Sequence, residues 1–202
     1  MRKILVSFVL IFSTTSLLQS QERVFHAGLL GGVTASQVLN DSFAHFSKLG
    51  FYGGVFVSLN FSERWIGELG MTYVMKGSKE RFFTNASYNG YKLTLGYVEL
   101  PLIFKYQVKK WDFELGLSFG ILVNSKEENW YNDQAYSDAQ FEQFEFAGIV
   151  GFNYFFTEKI AGNIRLSTSI IPIRYPTDNV YHPPLFGQRN NVLSFAVRYF
   201  IR

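Results

Sequence analysis

The 202-residue chain contains no cysteine. That absence removes disulfides, thiolate metal sites and thiol nucleophiles together. It also removes the acylated cysteine on which a bacterial lipoprotein anchor depends. An excess of one charge is missing too: 19 Lys and Arg stand against 16 Asp and Glu, and without Arg2 and Lys3 the balance is 17 to 16. No basic stripe gathers phosphates, so nucleic acid is excluded as a partner. Beyond the first twenty residues, no apolar run is long enough to cross a bilayer as a helix. Aromatic residues are what the chain has in abundance: 22 Phe, 12 Tyr and 3 Trp, together with 17 Gly. This composition points to an all-β chain with aromatic surfaces.

The first residues, MRKILVSFVLIFSTTSLLQSQ, place Arg2 and Lys3 before the apolar run Ile4 to Phe12, followed by small and polar residues. That layout predicts a secretory signal peptide over 1–20, cut near Ser20, and one domain over 21–202.

The stretch WDFELGLSFGILV then sets the main question. Trp111, Phe113, Leu115, Leu117, Phe119, Ile121 and Val123 alternate with Asp112, Glu114, Gly116, Ser118 and Gly120, and only Leu122 breaks the pattern. On a strand these sets point to opposite faces, one wholly apolar and one carrying two acids. Eight such segments recur: Val24 to Thr34, Leu49 to Phe61, Trp65 to Lys76, Tyr91 to Tyr106, Trp111 to Asn124, Phe144 to Phe156, Ile160 to Ile173, and Val192 to Arg202. Short polar breaks (Ser62 to Arg64, Gln107 to Lys110, Thr157 to Lys159) interchange strictly with long ones (Ala35 to Lys48, Gly77 to Gly90, Ser125 to Gln143, Arg174 to Asn191). Sorting of loops by length onto two ends, on an even strand count, predicts an all-β fold: an eight-stranded antiparallel up-and-down transmembrane β-barrel with short periplasmic turns and long extracellular loops. A soluble lipocalin-like barrel is the rival reading. Trp65 and Trp111 follow short turns, and Phe61, Tyr106 and Tyr154 end the strands near them, as an aromatic girdle requires.

One segment changes phase. In YKLTLGYVELPLIFKY the apolar positions are odd through Tyr97 and even from Val98 to Tyr106. A bulge near Gly96 to Val98 is expected to flip the strand, with Pro101 close by. The run Tyr97-Val98-Glu99-Leu100-Pro101-Leu102-Ile103-Phe104-Lys105-Tyr106 resembles the Y-x-E-[IL]-P-L-L-x-K-Y signature of the PorT-like outer-membrane β-barrel proteins of Bacteroidetes. Phe25 to Val38 resembles that family's opening Gly-rich strand, and Gly67 to Lys79 its E-x-x-Y-x-x-K-G segment. The departures are Gly31-Gly32-Val33-Thr34 where many relatives have Gly-x-Asn, and an end at Ile201-Arg202 where assembly machinery usually reads an aromatic residue. The resemblance implies outer-membrane location in a Gram-negative envelope and an accessory role in type IX secretion.

A barrel with the polar face inward collects Glu68, Lys76, Lys92, Glu99, Lys105, Asp112, Glu114, Glu145, Arg165 and Arg198 in its lumen. Five acids and five bases there are expected to pair as a structural network, because an unpaired buried charge is strongly destabilising. Eight strands leave room for side chains or one small ligand and no open channel. His26, His45 and His182, with Asp41, Ser42 and Asp178, do not have the spacing of a metal site or a defined catalytic constellation. The acidic, aromatic stretch Ser125 to Gln143 reads as a solvated loop or a contact rim. The expectation is therefore a non-enzymatic, monomeric barrel without cofactor, whose partners are outer-membrane lipid and other envelope or secretion proteins. A small-molecule or ion conduit, or a ligand-binding barrel, is the alternative.

Overall fold

The computed structural model describes residues 25–40, 46–79, 92–128, 140–176, 183 and 186–201. The expected signal peptide lies outside them. Eight antiparallel strands follow one another: β1 (Phe25–Leu39), β2 (Lys48–Asn60), β3 (Trp65–Lys79), β4 (Lys92–Val108), β5 (Trp111–Glu128), β6 (Phe144–Phe155), β7 (Ile160–Ser169) and β8 (Arg189–Ile201). Each pairs with the next, and β1 pairs back onto β8 from Ala27↔Ile201 to Leu39↔Arg189, closing the barrel and leaving no free edge.

The faces sort as the alternation requires. On β5, Trp111, Phe113, Leu115, Leu117, Phe119, Ile121 and Val123 all face outward, with Leu115 66% exposed, while Asp112 and Glu114 are buried inside. Such an outer face is tolerable only where hydrocarbon covers it. The twelve rises from Trp111 to Val123 cover about 30 Å at a tilt of about 40°.

The tight turns are held by their own hydroxyls. Ser62 Oγ accepts from the backbone N–H of Arg64 and of Trp65 at 3.4 and 3.2 Å, and Thr157 Oγ1 accepts from Lys159 and Ile160 at 3.2 and 3.0 Å. The two turns, Phe-Ser-Glu-Arg and Phe-Thr-Glu-Lys, are near-copies of each other. Between β4 and β5, Lys109 takes a left-handed φ of 56° to close a two-residue hairpin. Beside the turns the aromatic rings associate: Trp65 with Tyr106 at 4.9 Å, and Trp111 with Tyr154 at 4.7 Å.

At the opposite end β1, β3 and β5 run further than the hydrophobic alternation alone suggests, because polar residues such as Gln37, Ser78 and Glu127 still pair with neighbouring strands. By contrast, β7 stops at Ser169 and not at Ile173. Pro172 has no N–H to donate, and the chain turns inward there to bury Ile173 completely.

The phase change in β4 has a different cause from the one expected. A register shift does fall between Gly96 and Tyr97, but the skipped residue is Val123 of β5. The faces of β4 never exchange: Leu93, Leu95, Tyr97, Glu99, Ile103 and Lys105 are all buried within the barrel. What inverts is the chemistry of the two sides. From Val98 downward lipid covers the outside, so the outside is apolar. Above that level the apolar residues turn inward, as in a water-soluble core. Leu93, Leu95, Tyr97, Val38 and Ile173 form that upper core, with Leu122 and Phe141 packed against it.

Candidate functional site

The most elaborate chemistry lies in the lumen, in two tiers. The tier nearer the turns centres on Glu114 of β5, which has no solvent exposure at its side chain. Its Oε2 accepts from Arg165 Nε and Nη2 at 3.1 and 2.9 Å and from Asn163 at 3.2 Å. Its Oε1 accepts from Arg198 Nη1 at 3.0 Å and Asn153 at 2.7 Å, with Lys105 Nζ at 3.3 Å. Glu68 of β3 joins through Lys105 at 2.5 Å and through a short contact with Arg198. Arg165 also donates to the Tyr52 hydroxyl at 2.6 Å, and the Arg198 guanidinium lies 3.9 Å from the Phe56 ring centre. Strand register explains the meeting: Glu114 faces Lys105 on one side and Gly151 on the other, and Gly151 in turn faces Arg165. Alternate residues of β3 to β8 therefore reach one level of a narrow interior.

The tier nearer the loops is smaller. Lys76 of β3 sits between Glu99 of β4 and Glu145 of β6, at 2.5 and 2.9 Å. Ser118 donates to Glu99 at 3.1 Å, while Ser169 and Asn190 donate to Glu145 at 2.6 and 3.3 Å. Every member is buried. Above it the apolar core of Leu93, Leu95, Tyr97 and Ile173 closes the barrel, and Arg174 reaches Glu127 at 3.1 Å at the rim.

Nine of the ten residues assigned to the lumen from sequence lie there buried: Glu68, Lys76, Glu99, Lys105, Asp112, Glu114, Glu145, Arg165 and Arg198. Lys92 does not. It is an even-numbered residue of β4, on the outward phase at the loop end, 44% exposed and 3.8 Å from Glu128. Its assignment inward followed from the phase flip that β4 does not make. The nine comprise five acids and four bases, with two carboxylates on Lys76, and among the described residues Lys48 and Arg174 are further buried bases.

Asp112 stands apart from the pairs. It is 1% exposed, and its Oδ1 has no hydrogen-bond partner. It lines a cavity of about 120 Å³ at the turn end, with His26, Ser58, Asn60, Lys105 and Gln107. The neutral donors that complete both tiers, Asn153, Asn163, Ser118, Ser169 and Asn190, are not distinguished in the sequence, since polar residues at inward phase occur on every strand. Among the described residues, no group of three His, Asp or Glu could hold a metal ion. Asp41, Ser42, His45, Asp178 and His182, and most of the acidic loop between β5 and β6, lie outside the described residues.

Comparison with known proteins shows that residues 19–174 match the outer membrane protein beta-barrel domain. No curated protein matches the chain. Among solved structures, the attachment invasion locus protein Ail of Yersinia pestis is similar at 10% identity, over 87% of this chain and 98% of that one, with a TM-score of 0.49. Neisserial surface protein A shares 13% identity over 87% and 96% of the two chains, with a TM-score of 0.46. The Escherichia coli outer membrane protein W shares 12% over 90% and 100%, with a TM-score of 0.38.

Proposed function

The chain belongs to the outer membrane protein beta-barrel domain family, and on that premise we propose that it is a non-enzymatic barrel with a structural or interaction role in the cell envelope. The observation that carries this reading is the closed lumen. Two tiers of ion pairs and an overlying apolar core occupy the interior, and eight strands enclose too little space for a water column beside them. What such a molecule offers its surroundings is its rim. Signal-directed export would deliver it, and the PorT-like run from Tyr97 to Tyr106 supports an accessory role in type IX secretion as the concrete form. In that case the loops or the periplasmic turns contact another envelope component.

The turn-end cavity beside Asp112 favours a second reading, a barrel that takes a small ligand or passes ions. Planar-bilayer recording of the refolded protein separates the two. A silent membrane at all applied voltages is the expected result, and discrete conductance steps in the purified barrel would establish the conduit instead. Cross-linking in intact cells, followed by identification of the adduct, is expected to capture an envelope protein on the loops or turns. Recovery of the uncross-linked monomer alone would refute the interaction role.

A further inference from the structure

The turn-end cavity contains a charge that the lumenal network leaves unmatched. Asp112 is the second residue of β5, and register sets it opposite Gln107 of β4, one inward step nearer the turns than the facing pair Glu114 and Lys105. It is 1% exposed, and its Oδ1 accepts no hydrogen bond. The cations within its electrostatic reach are bonded to other carboxylates: Lys105 to Glu68 at 2.5 Å and Glu114 at 3.3 Å, and Arg198 to the same two residues. A buried carboxylate so placed is costly unless a donor or a cation reaches it from the cavity.

The walls suit such an occupant. Ser58, Asn60 and Gln107 contribute oxygen acceptors, and Ser58 Oγ gives its own proton to the His26 carbonyl at 3.4 Å, so that hydroxyl remains an acceptor. Ile66, Phe155 and Phe200 line the rest with apolar surface, the two rings 5.3 Å apart. Lys105 and the carboxylates that hold it close the inner end, which makes the pocket blind. Glu158, in the exposed β6–β7 turn, lines the outer end and brings a second carboxylate. The volume of about 120 Å³ corresponds to roughly four waters of ~30 Å³.

We infer that this cavity binds one small protonated amine, a primary ammonium on a short alkyl chain. The ammonium donates to Asp112 and to the side-chain oxygens of Asn60 and Gln107, and the alkyl part lies against Phe155 and Phe200. Three observations select that occupant. The unmatched charge is negative, with Glu158 of the same sign, so an anion is repelled. The three donors of a primary ammonium meet a carboxylate and neutral oxygens, as charge-assisted hydrogen bonds require. The aromatic wall attracts an organic cation, whereas a hydrated metal ion would leave it unused, and among the described residues no group of three His, Asp or Glu could hold a metal. The inference rests on the ligand-taking reading of this cavity and needs no conduction, because the inner end is closed.

The test is an NMR titration of the refolded, isotope-labelled barrel in detergent micelles, followed at the amides of Asp112, Gln107 and Phe200. The probes are propylammonium chloride, 1-propanol, sodium propionate and sodium chloride, each at constant ionic strength. Saturable shifts with propylammonium alone are expected. Asp112→Asn should weaken that binding about ten-fold, the loss of one hydrogen bond to a charged group. Asn60→Asp, which adds a carboxylate to the wall at the end of β2, should tighten it several-fold, whereas Leu102→Phe on the outer face should do neither. Heat-modifiable migration shows that each barrel has formed. Equal affinity in folded Asp112→Asn overturns the inference, and so does the absence of any gain in Asn60→Asp, a readout that stands even where Asp112→Asn does not fold. Saturation by sodium or by 1-propanol at the same amides would assign the cavity to an inorganic ion or a neutral ligand, which overturns the amine and leaves the ligand-taking reading in place. No saturable shift with any of the four probes removes that reading as well.

Discussion

Glu114 concentrates more of the lumen's electrostatics than any other residue described: two arginines, one lysine and two asparagines converge on its two oxygens. In a medium of low dielectric, the cost of removing one partner is set by the charges left behind and not by the bond lost. Glu114→Ala leaves Arg165 without a carboxylate and Arg198 with Glu68 alone. It should destabilise the folded barrel by about 3–5 kcal/mol, read as a lowered guanidinium midpoint of the heat-modifiable form. Lys76→Met brings Glu99 and Glu145 together with no cation between them and should cost a similar amount. The double variant Lys76→Met with Glu145→Gln should recover part of that loss, because it removes one of the two stranded charges. A midpoint unchanged in Lys76→Met would mean that the loop-side tier contributes nothing to holding the strands.

A strand in this molecule has two solvents, and its chemistry changes with depth. On β5, Leu115 lies in the middle of the outward apolar row and Trp111 begins it beside the turn. Leu115→Arg should therefore cost about 2–4 kcal/mol and Trp111→Arg only about 0–1, because a charge near the interface reaches water. Equal costs at the two positions, in denaturation from lipid vesicles, would argue against hydrocarbon as the covering medium. The upper part of β4 follows the opposite rule. Leu93 and Leu95 are fully buried inside, so Leu93→Ala should behave as a core truncation, at about 2–5 kcal/mol, and not as a surface change. That inversion of sidedness is what the sequence pattern of β4 records as a change of phase.

At the scale of the whole molecule, closure depends on the β1–β8 seam, where the backbones of Gly32 and Ala196 face each other. A Cβ on Gly32 would lie 1.9 Å from the Phe195 carbonyl oxygen, inside the seam itself. Gly32→Val should abolish heat-modifiable migration, while Gly31→Leu one residue away leaves it intact. Much of this architecture was legible without coordinates, because a barrel between lipid and a polar lumen writes its two faces into alternate residues and sorts its turns by length. The eight strands, their order, and the girdle at Trp65 and Trp111 follow from that periodicity alone. Three-dimensional closure decided the rest. It determined which carboxylate meets which cation, since Glu114 and Arg198 are 84 residues apart and are joined only through register around the circle. It moved Lys92 to the rim, because neither a strand's tilt nor the level at which lipid gives way to loops is contained in local alternation. Periodicity along a chain specifies which face each side chain takes, whereas its height and its neighbours depend on how all eight strands are staggered together.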